Sequence, residues 1–146
     1  IVTSAAGHPL DKTYYQTVKG MVTPLDILEP GGTLIVASAC SEGFGSPEFR
    51  AAQGRLRSLG PDAFLQTLLA KSLADVDEWQ TEMQLKSMRA GHVQLYTTGL
   101  DEEERSLTGV ESIASVDAAL AAAVARAGDT AIAVVPEGPY VVPVVG

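Results

Sequence analysis

The chain has 146 residues, a length that suits one domain able to bury a real core. With 46% apolar and 19% charged residues it is not a disordered chain, and its scattered Gly (14) and Pro (8) exclude collagen-like and mucin-like classes. Lys plus Arg is 10 and Asp plus Glu is 18, so the net charge of −8 repels phosphate backbones and speaks against nucleic-acid binding; a local basic patch could still hold one small anion.

The elements follow in chain order. Ile1–Ala5 reads as a strand, and Ala6-Gly7-His8-Pro9 as a loop. Asp11 is a helix N-cap, with the helix running to about Lys19 before Gly20. Tyr14, Val18 and Met21 form its core stripe, while Gln16 and Lys19, three apart, share another face. Thr23-Pro24 begins a short helical turn through Leu28, and Pro30-Gly31-Gly32 turns into the apolar strand Thr33–Ser38. Ser46 and Pro47 open a helix through Phe49 and Leu56 to Gly60, and a further helix is expected over Asp62–Leu73. Asp75, with Glu78 as capping-box partner, starts a helix that carries Trp79, Met83 and Met88 and ends at Gly91.

His92–Thr97 is a third strand, and the acidic run Asp101–Arg105 is the exposed first turn of a short helix. Ser115 caps a helix over Val116–Ala127 that Gly128 stops. Thr130–Val135 is a fourth strand, and Tyr140–Val145 a short edge strand marked by Pro143. Strands alternate with helices, so the fold class is α/β: one domain, residues 1–146, with a mainly parallel sheet of about four to five strands flanked by helices. Ligands of such folds bind beyond the carboxyl ends of the strands, at Ala6–Asp11, Ala39–Ser46 and Thr98–Leu100 here.

No apolar run approaches the ~18 residues of a membrane span. The single cysteine, Cys40, permits neither an intrachain disulfide nor a Cys-based zinc site, and points to the cytoplasm. No secretory signal pattern is present, and the chain opens directly on a strand without Met, as expected of a segment of a longer protein. Glu42-Gly43-Phe44-Gly45-Ser46-Pro47-Glu48 lies where phosphate could bind, but Glu48 breaks the dinucleotide fingerprint and Pro47 removes a donor; a tight turn is the simpler reading. Cys40 lacks a nearby base and reads as an inert thiol. His8 reads as a loop residue and His92 as structural. Trp79, at helical spacing with Met83, reads as core, and Lys19 as an exposed lysine unless it and Gln16 together hold a carboxylate.

The stretch Pro9-Leu10-Asp11 followed by Tyr15-Gln16-Thr17-Val18-Lys19-Gly20-Met21 resembles the start of the C-terminal domain of the nickel-dependent lactate racemase family. Gly31–Val36 followed by Glu42-Gly43-Phe44-Gly45, and Asp77-Glu78-Trp79-Gln80, agree with that family in order and spacing. Ala6-Gly7-His8 departs from it, where two glycines are expected. The resemblance implies an isomerase parent that racemises 2-hydroxy acids by hydride transfer to a nickel pincer nucleotide. That cofactor and the catalytic and nickel-binding histidines are expected on an N-terminal domain of the same polypeptide, with no cofactor on this segment alone. Gln16 and Lys19 are then expected to hold the carboxylate of a small 2-hydroxy acid and Trp79 to line the pocket, with no catalytic or metal residue in this chain. The competing readings are a non-enzymatic α/β module for anion binding or assembly and, against the broken fingerprint, a dinucleotide-dependent oxidoreductase domain.

Overall fold

A computed structural model describes residues 1–144. Strands β1 (Val2–Ser4), β2 (Thr33–Ala37), β3 (His92–Tyr96), β4 (Glu111–Ile113) and β5 (Val134–Val135) form one five-stranded sheet in the order β4-β3-β2-β1-β5. Every ladder is parallel. The helices are α1 (Tyr14–Val22), α2 (Pro47–Leu59), α3 (Pro61–Leu69), α4 (Glu78–Ala90), α5 (Glu102–Leu107) and α6 (Val116–Ala127), with 3-10 turns at Thr23–Ile27 and Gly138–Tyr140.

Handedness explains the layering. From β1 to β4 the chain steps steadily toward one edge, and from β4 it returns to the far side of β1. Parallel crossovers are right-handed, so reversing the direction puts α6 on the opposite face from the earlier helices. Side chains alternate accordingly. Leu34, Val36, Val93 and Leu95 meet Tyr14, Val18 and Met21 of α1 and Phe49 of α2 in the main core. Ile35 points the other way, and with Leu120, Ala123 and Val124 of α6 it lines a cavity. A smaller cluster joins Leu56, Phe64 and Leu85 on α2, α3 and α4.

The caps at Ser46 and Ser115 form as the sequence implies, each accepting from the amide three residues on. Asp11 is not the cap of α1. Thr13 takes that place, and the Asp11 carboxylate accepts from the Ala39 amide at 3.3 Å. α3 ends at Leu69 rather than Leu73, and α4 begins at Glu78 rather than after Asp75. The expected capping box survives as its return half, the Asp75 amide donating to Glu78 Oε2 at 3.0 Å.

The fourth expected strand shrinks to Val134–Val135, because only Val2 and Thr3 offer it partners. The expected edge strand over Tyr140–Val145 is absent from its described part, where Tyr140 closes a 3-10 turn and 141–144 join no strand among the described residues; Val145 lies outside them. β4 had no sequence signal: Glu-Ser-Ile lies at the sheet edge and carries no apolar alternation. No helix among the described residues is long and apolar enough to cross a membrane.

Candidate functional site

α1 follows β1, and α4 precedes β3, so both helices start at the carboxyl end of the parallel sheet. Gln16 and Trp79 lie in their first turns, and Lys19 in the last turn of α1. Lys19 is exposed on α1, with its Nζ 5.9 Å from the centre of the Tyr15 ring. The edge-to-face partner of that ring is Trp79, with centroids 6.1 Å apart. Lys12, Lys71 and Lys86 are held by carboxylates, and Lys19 is not among those pairs. Trp79 is 45% exposed, so the structure does not place it in the core.

Gln16, next to Tyr15 on α1, is half-buried. Its Oε1 is sealed from solvent without a partner, which leaves Nε2 as the outward, donating end of the carboxamide. Gln16 and Lys19 thus present two donors from one helix face, with an aromatic pair alongside. That arrangement can bind and orient a carboxylate and shelter an adjacent small apolar group.

The glycine-rich loop builds this corner rather than cradling phosphate. The Gly43 and Phe44 carbonyls accept from the amides of Tyr14 and Tyr15, at 3.0 Å each, and so satisfy orphan donors of α1's first turn. Gly45 has φ of 123°, and a Cβ there would stand 2.8 Å from the Cβ of Tyr15. Gly20 serves the other side of α1, where a Cβ would lie 3.0 Å from the Ser4 carbonyl oxygen.

Tyr15 and Gln80 escaped the sequence reading. Tyr15 sits between Lys19 and Trp79, and its i, i+4 spacing to Lys19 was the available signal. Burial pushes the Tyr15 phenol above its ordinary value, and the neighbouring Asp77 carboxylate adds to this. Asp77 occupies the left-handed region with φ of 59° and accepts from the Ser46 hydroxyl at 2.6 Å. Gln80, fully buried, donates from Nε2 to the Tyr15 carbonyl at 2.7 Å.

Next to Trp79 in the chain, Glu78 is 2% exposed. Desolvation pushes its carboxyl up, but the Lys71 ammonium, the Asp75 amide and the Arg55 guanidinium together outweigh that and hold it below its ordinary value. Lys71 Nζ reaches the Glu78 carboxylate oxygens at 2.7 and 3.0 Å.

The other candidates stand apart. Cys40 is buried against Thr17 and Ser38, His8 is exposed in the loop after β1, and His92 faces Glu111 at 3.7 Å. Among the described residues no group of three or more His, Cys, Asp or Glu is gathered to hold a metal.

Comparison with known proteins adds the following. The family model described as the lactate racemase C-terminal domain matches residues 1–144. The lactate racemase of Lactiplantibacillus plantarum is 27% identical over 140 residues, covering 94% of this chain and 32% of that protein. The lactate racemase of Thermoanaerobacterium thermosaccharolyticum is 29% identical over 85 residues, covering 57% of this chain and 20% of that protein. The solved lactate racemase apoprotein of that organism superposes with a TM-score of 0.84 at 24% identity, covering 96% of this chain and 34% of that one, and it shows the same fold. This chain spans a third or less of the length of these curated relatives.

Proposed function

The chain belongs to the lactate racemase C-terminal domain family, and from that membership we propose that it is the substrate-side domain of a 2-hydroxy-acid racemase of the lactate type. The observation that supports this reading is that the Tyr15 ring, next to Gln16 on α1, stands 5.9 Å from Lys19 Nζ and 6.1 Å from the Trp79 ring. The Lys19 ammonium and the Gln16 carboxamide donate to the substrate carboxylate. Two donors in fixed relation orient the acid as well as bind it, which sets the face of C2 that is offered for reaction. Trp79, braced edge-on by Tyr15, walls the substituent of C2 and keeps water from that side.

The residues of this chain do not fit a nickel site, since the described residues gather no metal-ligating cluster. In this reading the nickel pincer nucleotide, which accepts and returns the C2 hydride when bound, belongs to an N-terminal domain of the same polypeptide. The roles assigned to this chain are binding, orientation and exclusion of water, and alone it racemises nothing.

The test follows the optical purity of L-lactate and a small panel of other 2-hydroxy acids with the full-length parent loaded with its nickel cofactor. Lys19→Ala runs beside it. Loss of chirality that disappears in the variant supports the reading. Racemisation that survives Lys19→Ala removes Lys19 from the substrate, and racemisation by the 146-residue chain alone overturns the half-site assignment.

A further inference from the structure

α4 meets α1 along a seam that is polar where a helix pair is normally apolar. Gln80, Gln84 and Ser87 fall at i, i+4 and i+7, and all are fully buried. Each reaches α1. Gln80 Nε2 donates to the Tyr15 carbonyl at 2.7 Å, Gln84 Oε1 accepts from the Tyr14 hydroxyl at 2.7 Å, and Ser87 Oγ donates to the Met21 carbonyl at 3.1 Å. Apolar side chains would attract the helices without direction. These hydrogen bonds fix their rotation and register.

The first of these contacts falls at an informative place. The Tyr15 carbonyl belongs to the peptide unit whose nitrogen is that of Gln16. In an α-helix the same carbonyl is the acceptor for the amide of residue 19, the residue from which the candidate ammonium hangs. Gln80 itself directly follows Trp79 in the chain. One side-chain amide therefore touches the backbone that carries Gln16 and Lys19 while its own backbone carries Trp79.

We propose that Gln80 is the positioning residue of the carboxylate site, setting Gln16 and Lys19 relative to Trp79; this rests on the functional reading above. Its Oε1 is buried and unpaired, a cost that an apolar residue of the same size would avoid. What the position supplies is the directed donor. Gln53 provides a matched control. It too is fully buried, donates once, to Gln84 Oε1 at 2.8 Å, and leaves its own Oε1 unpaired, yet it lies on α2.

Gln80→Met and Gln53→Met in the full chain test the assignment. The readouts are urea unfolding, the NMR shifts of the Tyr15 carbonyl and the Lys19 amide, and an L-lactate titration followed by the fluorescence of Trp79, the only tryptophan. Both variants should change stability to a similar extent, since each removes one donated hydrogen bond and one unpaired oxygen. Gln80→Met alone should move the two α1 resonances and weaken the L-lactate response tenfold or more. Equal effects of the two variants, or unchanged α1 resonances in Gln80→Met, overturn the proposal. Should Gln80→Met fail to fold, the unsubstituted chain decides: L-lactate must shift the side-chain amide protons of Gln80 and spare those of Gln53, and the reverse sinks it. If the unsubstituted chain gives no response to L-lactate, the carboxylate reading fails, and the α1 resonances of the variants still decide whether Gln80 positions that helix.

Discussion

The two faces of the sheet obey one handedness rule and are built differently. One face is covered by several helices and buries Tyr14, Phe44 and Phe49 in mutual contact, with ring centroids 5.1 to 6.0 Å apart. The other face is covered by α6, from which Ala119 is the residue counted as buried, and a cavity remains between that helix and Ile35. The difference lies in the side chains and in the number of elements that converge. Large rings and hydrogen-bonded glutamines hold α1 and α4 in a fixed relation, whereas a helix of alanines and valines can only lie flat. A site that must hold donors in register belongs on the first face, and the candidate residues are found there.

Substitutions can break or sharpen this contrast. Phe49→Ala should destabilise by about 3–5 kcal/mol, and Leu120→Ala on α6 by only about 1 kcal/mol; equal losses by chemical denaturation would erase the contrast.

Next in size is Glu78→Ala, expected to cost about 1–3 kcal/mol, because it leaves the Asp75 amide without its acceptor and takes from Lys71 one of its two carboxylate partners. The Glu78 carboxyl is held below its ordinary value in the folded chain, so the stability it adds is complete above an unfolded value of about 4.3 and fades as pH falls through the folded value. Asp75, held low by the Lys71 ammonium, has the same sign. Urea unfolding across an acid pH series should therefore show a shallower slope in Glu78→Ala than in the unsubstituted chain.

Ser115→Ala removes the cap of α6 and should cost about 1 kcal/mol, with the L-lactate response unchanged. Smallest in stability and largest in binding is Lys19→Ala: within about 0.5 kcal/mol by denaturation, but with the L-lactate response abolished.

Local chemistry was legible in the sequence. Ser46 with Pro47, Ser115 and Gly128 mark their helix ends because a cap acts within one turn. The runs Thr33–Ala37 and His92–Tyr96 mark central strands because both faces are covered. What depended on distant partners was not legible. α4 buries Gln80 and Gln84 because acceptors and donors on α1 meet them, and no apolar periodicity within α4 announces that. Met83 and Met88 are only partly buried, and Trp79 is exposed, so the apolar stripe read along that helix was not its buried face. The candidate site divides the same way. Gln16, Lys19 and Trp79 came from the motif resemblance, while Tyr15 and Gln80 act through contacts between helices.

β1 lies between β2 and β5, and the hydroxyl of Thr3 donates to the carbonyl of Val135, 132 positions along the chain. Within this domain the first strand to be made is thus the last to be enclosed. Until β5 has been made, β1 exposes one open parallel edge, with unpaired amides and carbonyls available to any neighbouring strand. Synthesis of this domain therefore passes through an interval in which its innermost helix can already dock but its sheet cannot close, and that interval is where protection by a chaperone would matter most.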